Sequence, residues 1–118
     1  MIRSLGHLLL AGIFISGGSN AFLEPGGRVN KVAQAGIPAP KQGVILNGAA
    51  MVIGGTMLAL GIFPKLAASI LIGTIIPTTV VGHAFWKEEA SGSRANQLTQ
   101  FYKNLGLLGG LLLVLAEK

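Results

Sequence analysis

The sequence predicts an all-α fold, an integral membrane antiparallel four-helix bundle forming a single domain over residues 1–118. Two observations predict it. Hydrophobic residues make up 51% of the chain and charged residues only 11%, where a soluble domain carries roughly a quarter charged. The apolar residues also fall in four runs, at about 4–22, 43–63, 66–86 and 98–116, each close to the ~20 residues that a helix needs to cross the hydrocarbon.

The first run follows Arg3 and is interrupted only by His7, Ser16, Ser19, Asn20 and glycines. Ser19-Asn20-Ala21 resembles a small-x-small cleavage site, so a signal peptide is the alternative to a first span. Three further runs favour the span, because multi-spanning proteins usually keep their first helix. Residues 23–42 are a connection rich in Gly, Pro and charge. Within it, 28–35 can form a short interfacial helix, and Pro38 and Pro40 keep the chain extended after it.

The second run carries Asn47 as its one strongly polar side chain. Phe63-Pro64-Lys65 is a tight turn that sends the third run back along the second. In that third run Pro77 cannot donate to the carbonyl of Gly73, which predicts a helix kink with a free acceptor. The hydroxyls of Thr78 and Thr79 stand ready to satisfy it. Residues 87–96 read as an exposed loop or a frayed helix end. The last run is continuously apolar only from Leu105, about 18 Å of helix, so it must begin near Leu98 and let Lys103 snorkel outward. Small residues at four-residue spacing mark helix packing faces at Gly54, Gly55, Gly73, Gly106 and Gly110.

Four alternating spans would place both chain ends and Pro64 on one side, the terminal side, and the two long connections on the other, the loop side. Nearly every strong hydrogen-bonding side chain then collects in one loop-side layer: Asn20, Asn47, His83, Trp86, Gln100 and Asn104. Polar residues near a bilayer usually face the bundle interior or a cavity, which makes this layer a candidate ligand-binding site. His83 can exchange a proton near neutral pH, the amides can hold a carbonyl or hydroxyl, and Trp86 can stack on a flat ring. A quinone headgroup fits that inventory. The alternative is that the amides bond across helices as packing glue and Trp86 anchors the interface.

Several chemistries are disfavoured. The chain has no Cys, hence no thiolate nucleophile, disulfide or iron–sulfur ligand set, and any redox chemistry must be borrowed. His7 and His83 would be about 25 Å apart, too far to share a haem iron. The four carboxylates make no acid and base pair, and no metal site is legible. The net charge of +5 is scattered between apolar runs, which points to anionic lipid headgroups and not to nucleic acid. Arg28, Lys31, Lys41, Lys87 and Arg94 on the loop side outnumber Arg3, Lys65 and Lys118, so the positive-inside rule places the loop side in the cytoplasm and both termini outside.

Two blocks carry a resemblance to a known family. Ile76-Pro77-Thr78-Thr79 with Gly82-His83-Ala84-Phe85-Trp86, followed by Gln100-Phe101-Tyr102-Lys103-Asn104-Leu105-Gly106-Leu107-Leu108-Gly109-Gly110, resembles the DoxX family of small four-span prokaryotic membrane proteins. The resemblance extends over nearly the whole chain. It implies association with a membrane oxidoreductase complex, quinone-linked or serving oxidative stress, since the family takes its name from a subunit of an archaeal thiosulfate:quinone oxidoreductase. By motif it points to His83, Trp86 and Asn104. One departure is Gly17-Gly18-Ser19-Asn20, where a Gly followed by a Lys is expected.

The resulting expectation is a small subunit of a membrane redox complex in the prokaryotic cell membrane. It would have no covalent cofactor, would bind a quinone or a partner through the loop-side layer, and would be surrounded by lipid and by other membrane subunits or copies of itself. The alternatives are a structural accessory subunit and a small-molecule carrier gated at Pro77.

Overall fold

The computed structural model describes residues 1–24, 26–82 and 90–117. Its elements are α1 (Ile2–Leu23), α2 (Gly26–Gln34), α3 (Pro40–Leu60), α4 (Pro64–Pro77), a π-helical turn (Thr78–Gly82) and α5 (Ser91–Leu115). Four segments are long and apolar enough to cross a membrane: Ile2–Leu23, Pro40–Leu60, Pro64–Val81 and Ser91–Leu115. The fold is therefore an all-α bundle with four helices of membrane-spanning length.

The boundaries follow local chemistry. Pro40 and Pro64 each occupy the first turn of their helix, where the missing N–H is no loss. Gly61 ends α3 in the left-handed conformation at φ 71°, and its N–H bonds the carbonyls of Leu58 and Met57. Residues 61–63 thus form the turn, and Pro64-Lys65 already belong to α4. The connection 23–42 holds a short helix, α2, where residues 28–35 were expected to form one, with Val29 and Val32 half-buried and Arg28 and Lys31 exposed. α5 begins at Ser91, seven residues ahead of Leu98, because its first turns are exposed and polar and give no apolar signal.

Pro77 ends α4, and the backbone continues as the π-helical turn. The two hydroxyls expected to satisfy Gly73 are used elsewhere. Thr78 Oγ1 donates to the Thr74 carbonyl at 2.7 Å and Thr79 Oγ1 to the Ile75 carbonyl at 2.7 Å. The reason is reach, since a threonine hydroxyl in a helix meets the carbonyl four residues back.

Around the bundle α1 lies along α3, α3 along α4 and α4 along α5, while α1 and α5 touch only slightly. The core is shared by all four, with Ala11 and Phe14, Leu58, Ala67, Ala68, Leu71 and Ile75, and Leu111 and Val114. Small residues set the closest approach. A Cβ on Gly18 would lie 2.7 Å from the Gly48 carbonyl oxygen, so α1 and α3 meet backbone to backbone. Gly54 and Gly55 serve different neighbours, Gly54 facing Leu71 and Ile70 of α4 and Gly55 facing Ile15 and Phe14 of α1. Gly110 has Leu10 at 3.5 Å from an added Cβ, an ordinary contact, whereas Gly73 and Gly106 have open space around them. Large apolar side chains such as Leu9, Leu46, Leu60 and Leu113 cover the outside, as a surface bathed in lipid requires.

Candidate functional site

Two polar groups stand out within the bundle. The first is built on the threonine pair after Pro77. Successive residues on a helix point about 100° apart, so Thr78 and Thr79 reach different neighbours. Asn47 of α3 donates its amide to Thr78 Oγ1 at 3.0 Å, and Asn104 of α5 donates to Thr79 Oγ1 at 2.9 Å. Each hydroxyl accepts from an amide while donating to a backbone carbonyl, and α4 is laced to both flanking helices. Asn104 is only 5% exposed. Asn47 is half-buried, and its amide also reaches the Met51 sulfur at 3.7 Å.

The remaining members of the expected layer sit farther out. Asn20 is exposed and accepts from Arg28 Nη1 at 2.6 Å, tying α2 to the end of α1. Gln100 accepts from Lys103 Nζ at 2.6 Å along the surface of α5. His83 and Trp86 lie outside the described residues. The structure therefore brings Asn47 and Asn104 onto one helix from two sides, and leaves Asn20 and Gln100 to local pairs.

Beside the second clasp a shallow cleft of about 190 Å³ opens between α4 and α5. Apolar side chains including Ile76, Val80, Leu105 and Leu108 surround Thr79 and Asn104 there. Its volume lies below the ~300–1,000 Å³ of typical small-molecule pockets.

The second polar group was not anticipated. His7, only 7% exposed, places Nε2 2.8 and 3.0 Å from the two carboxylate oxygens of Glu117. Arg3 Nε stands 3.7 Å from Glu117 Oε1. A carboxylate only accepts, so His7 Nε2 carries the proton in this pair. The group borders a cleft of about 270 Å³ between α1 and α5. An even number of spans returns the last helix to the side where the first began. That rule was the available signal that His7 and Glu117 would meet.

Among the described residues no group of three or more His, Cys, Asp or Glu is placed to hold a metal ion.

Comparison with known proteins gives a consistent placement. The DoxX family model matches residues 3–84. The inner membrane protein YphA of Escherichia coli (strain K12) is 28% identical over 102 residues, which cover 86% of this chain and 72% of that protein. No solved structure matches.

Proposed function

The chain belongs to the DoxX family of small prokaryotic integral membrane proteins, and from that premise we propose that it is a non-catalytic accessory subunit of a membrane-associated redox complex. Its four spans alternate in direction across the bilayer, and it offers a rigid apolar body against which a larger partner, or further copies, can pack. It resides in the inner membrane, like the Escherichia coli relative by that protein's name. The excess of Lys and Arg in the two long connections places them in the cytoplasm and both chain ends outside.

One observation carries this reading. The two buried or half-buried asparagines expected to bind a ligand are engaged instead with Thr78 and Thr79, fastening α3 and α5 to α4. Such interhelical bonds in lipid are worth about 0.6 kcal/mol on average and up to ~1.7. They favour a unit whose polar layer holds its own shape.

A second reading, in which the layer binds a quinone, is favoured by the cleft between α4 and α5. Asn104 donates one amide hydrogen to Thr79 and keeps a second that a quinone carbonyl can accept.

Mass spectrometry of the chain purified in mild detergent from its native membrane separates the two. The accessory reading expects a stable protein partner without a stoichiometric small molecule. Stoichiometric quinone that disappears in Asn104→Ala, with assembly intact, would overturn it in favour of the second.

A further inference from the structure

We propose that the cleft between α1 and α5 binds a lipophilic molecule whose head is a phenolic hydroxyl, with His7 accepting the hydrogen bond, Glu117 orienting the imidazole and Arg3 flanking the mouth. The site lies apart from the Asn–Thr layer and does not depend on the redox reading.

The starting point is a buried imidazole inside a membrane span, which is costly unless partnered and usually marks a site. Glu117 supplies half of the partnership by holding the proton on Nε2 at 2.8 Å. In the neutral ring the other nitrogen, Nδ1, is then a bare acceptor. Among the described residues no donor is bonded to it, since both hydrogen bonds of His7 are made by Nε2. A carboxylate behind an imidazole with its second nitrogen free is the arrangement by which proteins prepare a histidine to receive a hydroxyl proton or hydrogen bond.

The surroundings select the donor. His7 borders the cleft together with Gly6, Leu10, Gly110 and Leu113. Gly6 leaves open space where a side chain would stand, and Leu113 is largely exposed on the lipid face. A molecule therefore enters from the bilayer with an apolar body. An ionised carboxylate has no proton to give to Nδ1 and meets Glu117, and a cationic amine meets Arg3, so a neutral hydroxyl is the donor the site favours. The Arg3 side chain is 63% exposed and reaches Glu117 only at 3.7 Å. A phenol is a stronger donor than an alkanol because the negative charge its oxygen gains as the proton leans toward Nδ1 is delocalised into the ring, and the remaining N–H groups of Arg3 at the mouth favour that charge. At about 270 Å³ this cleft too lies below the ~300–1,000 Å³ of typical small-molecule pockets, which limits the part it holds to a single ring with the tail left in lipid.

The test uses the full chain in nanodiscs, with the histidines labelled in nitrogen, titrated with decylphenol and separately with its methyl ether. The ether has the same ring and tail without the donor. The imidazole resonances of His7 are expected to shift saturably with the phenol, at an apparent affinity about tenfold tighter than with the ether. Glu117→Gln should weaken phenol binding by about tenfold while the protein stays folded. Leu113→Trp, which fills the cleft and leaves every polar group in place, should abolish saturation. Equal behaviour of phenol and ether, or a shift that grows linearly in both as partition into lipid would produce, overturns the proposal. A decyl hydroquinone run alongside distinguishes sources. Tighter binding than the monophenol points to the reduced quinone pool, and equal binding points to phenolic lipids at large.

Discussion

The two polar groups of this bundle solve the same problem in opposite ways. Around Thr78 and Thr79, neutral amides meet neutral hydroxyls, and α4 is bonded on both sides. Around His7, a titratable ring meets a carboxylate where α1 and α5 barely touch and a cleft stands open. The neutral pairs stabilise the fold and leave over only the second amide hydrogen of Asn104, beside a shallow cleft of about 190 Å³. A neutral imidazole held by a carboxylate beside a gap keeps one ring nitrogen unused, and that is the arrangement with something left to bind. In a membrane the count of polar residues is therefore a weaker guide to a site than the number of their hydrogen-bonding atoms still unused.

The contrast is broken most severely by separating the helices near the clasps. Gly18→Leu drives a side chain into the Gly48 carbonyl and the Met51 side chain. It should cost about 3 kcal/mol or more, read as loss of the monodisperse folded protein on size exclusion. Gly6→Ala, in the open cleft, has nothing within 4 Å of the new methyl and should leave the unfolding midpoint within about 0.5 kcal/mol of the parent. If both glycines tolerate alanine equally and Gly18→Leu folds normally, the α1–α3 crossing is looser than described.

The clasps come next. Asn104→Ala should destabilise by about 1–2 kcal/mol, more than Asn47→Ala, because Asn104 is the more deeply buried. A double-mutant cycle of Asn104→Ala with Thr79→Val should return a coupling near 0.6–1.7 kcal/mol by thermal unfolding in detergent. Thr79→Ser should restore most of the loss, since it keeps the hydroxyl. Additivity of the two changes would mean that the contact adds nothing to stability.

The smallest effect is expected at the surface. Lys103 and Gln100 pair along the exposed side of α5, and Gln100→Ala should change stability by less than about 0.5 kcal/mol. A larger loss would mean that Gln100 belongs to the fastened layer after all.

Much of this architecture was legible in the sequence. The four apolar runs correspond to the four long helices, and the segment 28–35, expected to form a short helix, lies largely within α2. The start of α5 was read late because Ser91 to Gln97 form helix without an apolar face. The hydroxyls of Thr78 and Thr79 do not satisfy Gly73 as the sequence predicts; their partners are one and two carbonyls beyond it, a detail of local reach that a list of residues does not convey. The His7–Glu117 pair spans 110 positions. It depends on how the last helix returns to the first, so neither residue announces it alone.

The most direct test of the division between the two ends is one titration with decylphenol, run on Asn47→Ala and Glu117→Gln beside the parent protein. If the ends divide fastening from binding, Asn47→Ala binds as the parent does although it unfolds more easily, and Glu117→Gln binds about tenfold more weakly. If Asn47→Ala loses binding to the same degree, or Glu117→Gln binds unchanged, the division does not exist.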